Sequence, residues 1–159
     1  MSRGRLTIRN RTRLPDAEVK QLIRFAMEPT EPAETVAAVT HTRRRDGTSS
    51  GVACPYVPND AAFRPVPKGA FYAIRLRVGK PEDYPAKRAS WRYGWEDSLR
   101  DGWPLFRFES WQEALVAIAA HEAAHNELQR AGKSGTGELR AELFANEMLN
   151  RYREERGRP

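Results

Sequence analysis

The strongest constraint on the fold lies in the last third of the chain, where two long stretches of helix-forming residues are separated by a short break. Ser110-Trp111-Gln112-Glu113 has the form of a capping box: the Ser hydroxyl accepts from the N–H of Glu113, and the Glu carboxylate reaches back to the N–H of Ser110. The following EALVAIAAHEAAHNELQR, up to Arg130, contains no breaker and is rich in strong helix formers. Gly132 is a natural C-cap, KSGTG makes a turn, and a second uninterrupted helix is expected from about Gly137 to Glu155. So short a connection lays the two helices side by side and antiparallel.

Upstream, Leu6 and Ile8 alternate with polar residues as a short strand does. Leu14-Pro15-Asp16 reads as a helix entry, and Val19, Leu22, Ile23 and Phe25-Ala26 supply an apolar face that ends before Pro29. TVAAVTHT (35–42) is β-branched enough for a second strand, closed by a turn at Asp46-Gly47. Residues 48–68, rich in Gly, Pro, Ser and Asn, read mostly as loop, and AFYAIRLRV (70–78) alternates as a strand. Residues 79–108 carry Tyr84, Trp91, Tyr93, Trp95, Trp103, Phe106 and Phe108 among prolines and charges, a long loop whose rings pack onto the domain or line a cleft. The expected class is α+β: an N-terminal strand and helix, a short mixed sheet, then two long antiparallel helices.

At 159 residues, with 40% hydrophobic and 30% charged residues, the chain suits one folded domain over 1–159. No apolar run reaches the 18 or so residues of a membrane span, and the basic N-terminus lacks the apolar core of a secretory signal. The single cysteine, Cys54, suits a reducing compartment. A cytoplasmic protein with no membrane partner is expected. The net charge of +6 favours acidic partners, and the arginines at 3, 5, 9, 11, 13 and 43–45 keep nucleic acid open as a partner, although no DNA- or RNA-reading motif is present.

The chemistry concentrates in His121-Glu122-Ala123-Ala124-His125. Residues four apart share one helix face, so both imidazoles can grip one ion, while Glu122 is rotated by about 100° toward a metal-bound water. Two neutral imidazoles and a carboxylate suit Zn²⁺ with a fourth position left for water, and Glu122 is then the general base. The second helix offers Glu138, Glu142 and Glu147 as third ligand. The first helix rises roughly 9 Å beyond His125, and the returning helix must descend as far. That selects Glu142, with Glu138 as the alternative, and leaves Asn146 one turn on, where it can hydrogen-bond a ligating histidine.

HEAAH followed by Glu142-Leu143-Phe144-Ala145-Asn146 resembles the HExxH…ExxA(D/N) arrangement of the gluzincin metallopeptidases, the ImmA/IrrE-like peptidases among them. The resemblance spans residues 110–150 and implies a small zincin-like domain. It implies zinc on His121, His125 and Glu142, Glu122 as base, Asn146 behind the ligands, and a peptide or protein substrate. The rival reading is a metal-stabilised binding or regulatory module, possibly associated with nucleic acid, which has no use for a base at Glu122. Tyr93, Tyr152 and His41 are candidates to stabilise an oxyanion, and 70–78 is the expected edge strand for an extended substrate.

Overall fold

The computed structural model describes residues 5–43, 49–88, 106–133 and 137–156. The chain is α+β. Strands β1 (Leu6–Asn10), β2 (Thr35–His41), β3 (Ser50–Cys54) and β4 (Tyr72–Val78) form one mixed sheet in the order β1-β2-β4-β3. The first three in that order run parallel, and β3 pairs antiparallel to β4. Helix α1 (Asp16–Met27) makes the crossover that parallel β1 and β2 require. Its buried Val19, Leu22, Ile23, Ala26 and Met27 form the stripe expected from their spacing.

A short pair, β5 (Ala86–Arg88) with β6 (Phe106–Phe108), follows, and then α2 (Trp111–Arg130) and α3 (Glu138–Arg156). Contacts between the two helices run in opposite senses along them: Glu127 with Arg140, His121 with Glu142, Glu113 with Arg153. α2 packs between α1, α3 and the sheet. Its Leu115, Val116, Ile118 and the alanines around them join Ile23, Ile74, Leu76 and Met148 in one apolar cluster. The opposite face of the sheet is covered by the segment around Phe63, which closes over Val36, Ala38 and Ala73.

Several expectations change. The described residues among 48–68 are mostly irregular as expected, but they also contain a strand, Ser50–Cys54, that the sequence did not suggest. Residues 70–78 do not form the edge. β4 lies between β2 and β3, and β3 is the outer strand among the described residues. The Ser110 hydroxyl does accept from the Glu113 N–H (3.3 Å), but the Glu113 carboxylate takes the N–H of Glu109 (3.1 Å) rather than that of Ser110. Arg153 draws it there, donating to the same oxygen at 2.8 Å. Burial pushes the Glu113 carboxyl up, yet the hydrogen bonds from Arg153 and the Glu109 N–H outweigh it and hold it below the usual range.

At the far end of α2, Gly132 takes φ +71°. Its N–H and that of Lys133 return to the carbonyls of Gln129 and Leu128, the paired bonds that end a helix at a left-handed glycine. Of the aromatic stretch, Phe106 and Phe108 are buried and stacked, with centroids 5.8 Å apart. Trp91, Tyr93, Trp95, Trp103 and the Asp46-Gly47 turn lie outside the described residues.

Candidate metal centre

Around His121 and Glu122, α2 is buried despite its polar sequence, because β3 and β4 cover one side and α3 another. His121 and Glu122 are 4% and 5% exposed, and Glu142 on α3 is fully buried. Polar groups persist at such burial only when they satisfy one another or hold an ion. Here Nε2 of His125 lies 3.2 Å from Nε2 of His121, and Oε1 of Glu138 lies 3.1 Å from the first histidine and 2.7 Å from the second. Three donor atoms bound to one zinc at about 2.0–2.2 Å are separated by about 3.4 Å in tetrahedral geometry. The observed triangle is close to that arrangement, and the donor set of two imidazoles and one carboxylate is one that zinc favours. His121, His125 and Glu138 can therefore hold a metal ion.

The carboxylate against both Nε2 atoms is thus Glu138, not Glu142. Glu142 stands on the other side of His121, with Oε1 3.6 Å from Nδ1. The reason lies in the connection between the helices. Gly137 is already beside Leu128, so close that a Cβ on it would fall 2.6 Å from Leu128 Cδ1. With Gly137 already beside Leu128, the descent that counting along α3 assigned to its first turn is complete before α3 begins. The start of α3 is level with the histidines, and Glu142 is one turn beyond them.

Nδ1 of His121 is buried without a hydrogen-bond partner, and 3.6 Å is too long for one. The carboxylate of Glu142 nevertheless faces it from the position where a second carboxylate orients a metal-bound imidazole. Asn146 is half-buried one turn further along and hydrogen-bonds neither imidazole among the described residues. The buried asparagine near the site is Asn126, which the sequence did not single out. Its Oδ1 accepts from Thr35 (3.3 Å) and Arg130 (3.0 Å), tying α2 to the start of β2.

Three carboxylates (Glu122, Glu138, Glu142) surround two imidazoles, so the cluster attracts positive charge. The hydrogen bond to Glu138 raises the pKa of His125 above its ordinary value, against the effect of burial. A protonated imidazole cannot ligate. Metal uptake must displace that proton, and it weakens as pH falls through the raised pKa.

Glu122 Oε1 is 3.8 Å from His121 Nε2, beside the donor triangle rather than within it. Its neighbour across the cleft is Gly51 of β3. A Cβ built there would meet Glu122 Cγ at 2.6 Å and Cδ at 3.1 Å. The glycine leaves room for this carboxylate. Gly51→Ala is expected to keep the metal and move Glu122, lowering any turnover by about 10²-fold, the cost of a displacement near 1 Å. Unchanged kcat in a metal-replete Gly51→Ala protein would show that the contact does not position the carboxylate.

The cluster opens into a cleft of about 620 Å³, walled by Gly51, Val52 and Pro55 on one side and Leu128 and Gln129 on the other, with Lys133 at its rim. Gln129 Nε2 donates to the Ala53 carbonyl at 2.9 Å, pinning β3 to α2. None of Gly51, Gln129 and Lys133 stood out in the sequence, because each is recognisable only once β3 is placed beside α2. Two of the oxyanion candidates lie elsewhere. Tyr152 packs edge-on against Phe25, and His41 lines a different cavity with Nδ1 3.2 Å from the Val78 carbonyl. Tyr93 lies outside the described residues. Cys54 is half-buried, and burial raises its thiol pKa, which suits a structural thiol.

Among the described residues no helix is long and apolar enough to cross a membrane. Comparison with protein-family models, with curated proteins and with solved structures gave no match to this chain. The functional reading rests on the residues and their geometry.

Proposed function

We propose that this chain is a zinc-dependent metallopeptidase with a zincin-like site, in which His121, His125 and Glu138 hold the metal and Glu122 is the general base. The observation that carries the reading is the convergence of three donor atoms with a fourth carboxylate, Glu122, beside them at the floor of an open cleft. A zinc ion held by these residues would supply Lewis acidity toward a carbonyl and would lower the pKa of water to about 7. Glu122 takes up a proton from the attacking water and delivers it to the leaving amine. Glu142 orients His121 through Nδ1. β3 is the outer strand of the sheet among the described residues and lies beside the cleft, and its main chain can pair with an extended peptide, which favours peptide bonds over other amides as substrates. A structural metal site in a binding module needs no such base and no such cleft. The lone thiol accords with action in the cytoplasm.

The test is direct. Purified protein should carry close to one zinc per chain, cleave casein or unstructured peptides, lose activity to a chelator and regain it with zinc. A protein without zinc, or a zinc-replete protein inert toward a broad peptide library, overturns the proposal.

A further inference from the structure

A second cavity lies on the outer face of the sheet, away from the helices, and its chemistry differs from that of the metal cleft. Along β4 the side chains of Ile74, Leu76 and Val78 enter the helix-facing core, so Arg75 and Arg77 project from the opposite face. Arg77 is in register with Thr40 on β2 and with Ser50 on β3. One guanidinium is therefore flanked by hydroxyl-bearing residues on both neighbouring strands. All three line a pocket of about 630 Å³, together with Arg43, Arg75 and Asp60.

Asp60 is the one carboxylate among the described lining residues, and it is already engaged. Its Oδ2 pairs with Arg75, and its Oδ1 accepts the Ala62 N–H at 2.9 Å. Arg75 is further fixed over the Phe63 ring, 5.2 Å from the centroid. Arg43 and Arg77 have no ion pair among the described residues, so the pocket keeps two uncompensated positive charges.

We propose that this pocket binds the phosphate of a phosphomonoester. A guanidinium fork between two hydroxyls presents donors on three sides, which matches the oxygens of a terminal phosphate better than the two of a carboxylate. Two net charges match a dianion. The volume exceeds that of a phosphate alone and admits a nucleoside-sized group as well. Ser50 lines both this pocket and the metal cleft, so a ligand here sits one strand away from Glu122. The inference does not depend on the peptidase reading.

The experiment is calorimetric titration of the zinc-loaded chain with adenosine monophosphate, adenosine, succinate, and an oligonucleotide with or without a 5′-phosphate. Adenosine monophosphate should bind and adenosine should not. Arg77→Gln should weaken binding by about tenfold or more, as loss of a charge-assisted guanidinium–phosphate contact does. The exposed Arg43→Gln provides a second variant with little risk to folding, and it should weaken binding several-fold. Zinc removal should leave binding unchanged. Tighter binding of the 5′-phosphorylated oligonucleotide than of the mononucleotide identifies nucleic acid ends as the source, and equal binding identifies free nucleotides; both support the site. Binding that disappears with zinc, that ignores both arginine variants, or that succinate matches overturns the proposal, as does no binding at millimolar ligand.

Discussion

Glu122→Gln is expected to leave zinc bound and the fold intact while lowering peptide hydrolysis by about 10²–10⁴, the usual cost of losing a positioned general base. The expectation follows from where the carboxylate stands. It is nearly as buried as His121, yet it lines the cleft and sits 3.8 Å from the nearest ligand nitrogen instead of joining the donor triangle. Glutamine preserves the volume beneath Gly51 and the capacity to hydrogen-bond, so what is removed is basicity alone. Zinc content by metal analysis, a thermal melt and kcat with a fluorogenic peptide separate the possible results. Loss of zinc in this variant would make Glu122 a ligand. Activity equal to wild type would place the cleavage at another site or in a contaminant.

The sequence made legible whatever depends on local periodicity. The apolar stripe of α1, the β-branched run of β2 and the alternation of β4 are each properties of a dozen residues or fewer. The helix boundaries at Ser110 and Gly132 follow from capping chemistry. The order of strands was not legible. β3 follows β2 in the chain but pairs with β4, a non-local choice, and its sequence SGVAC carries a serine and a glycine where strand propensity asks for branched residues. Gly51 is explained chiefly by the approach of Glu122, a residue 71 positions away, and by the Arg75 carbonyl on β4. The mistaken edge role for 70–78 followed from the same blindness. So did the partner of Glu113, which Arg153 determines from the far end of α3. The basic pocket on the outer face was likewise invisible, since Arg75 and Arg77 register in sequence only as the polar half of an alternation. At the metal cluster, the two histidines and Glu122 were legible because one helix carries all three. Which of the carboxylates offered by the partner helix faces both Nε2 atoms was not, because that depends on the level at which α3 begins beside α2.

That carboxylate is the subject of the sharpest comparison. Glu138→Ala is expected to reduce zinc affinity by more than the 10–100-fold typical of a partner behind the ligands, while Glu142→Ala should fall within that range. Glu138 places one oxygen against both Nε2 atoms, at 3.1 and 2.7 Å, the side from which a metal is held. Glu142 faces His121 from Nδ1, the side from which the ring is oriented. Glu142 is also fully buried, so its removal should cost folding stability as well, whereas Glu138 is partly exposed at the first residue of α3. The two variants should therefore differ in kind. Glu138→Ala should melt like the metal-free wild type and bind zinc poorly, and Glu142→Ala should melt lower even without metal. Competition with a chromophoric chelator measures the first effect and thermal unfolding of the apo-proteins the second. The reverse order of affinities would return the ligand role to Glu142, as the HExxH…ExxAN spacing implies. It would require α3 to move by about one turn, roughly 5 Å along its axis, when the metal enters.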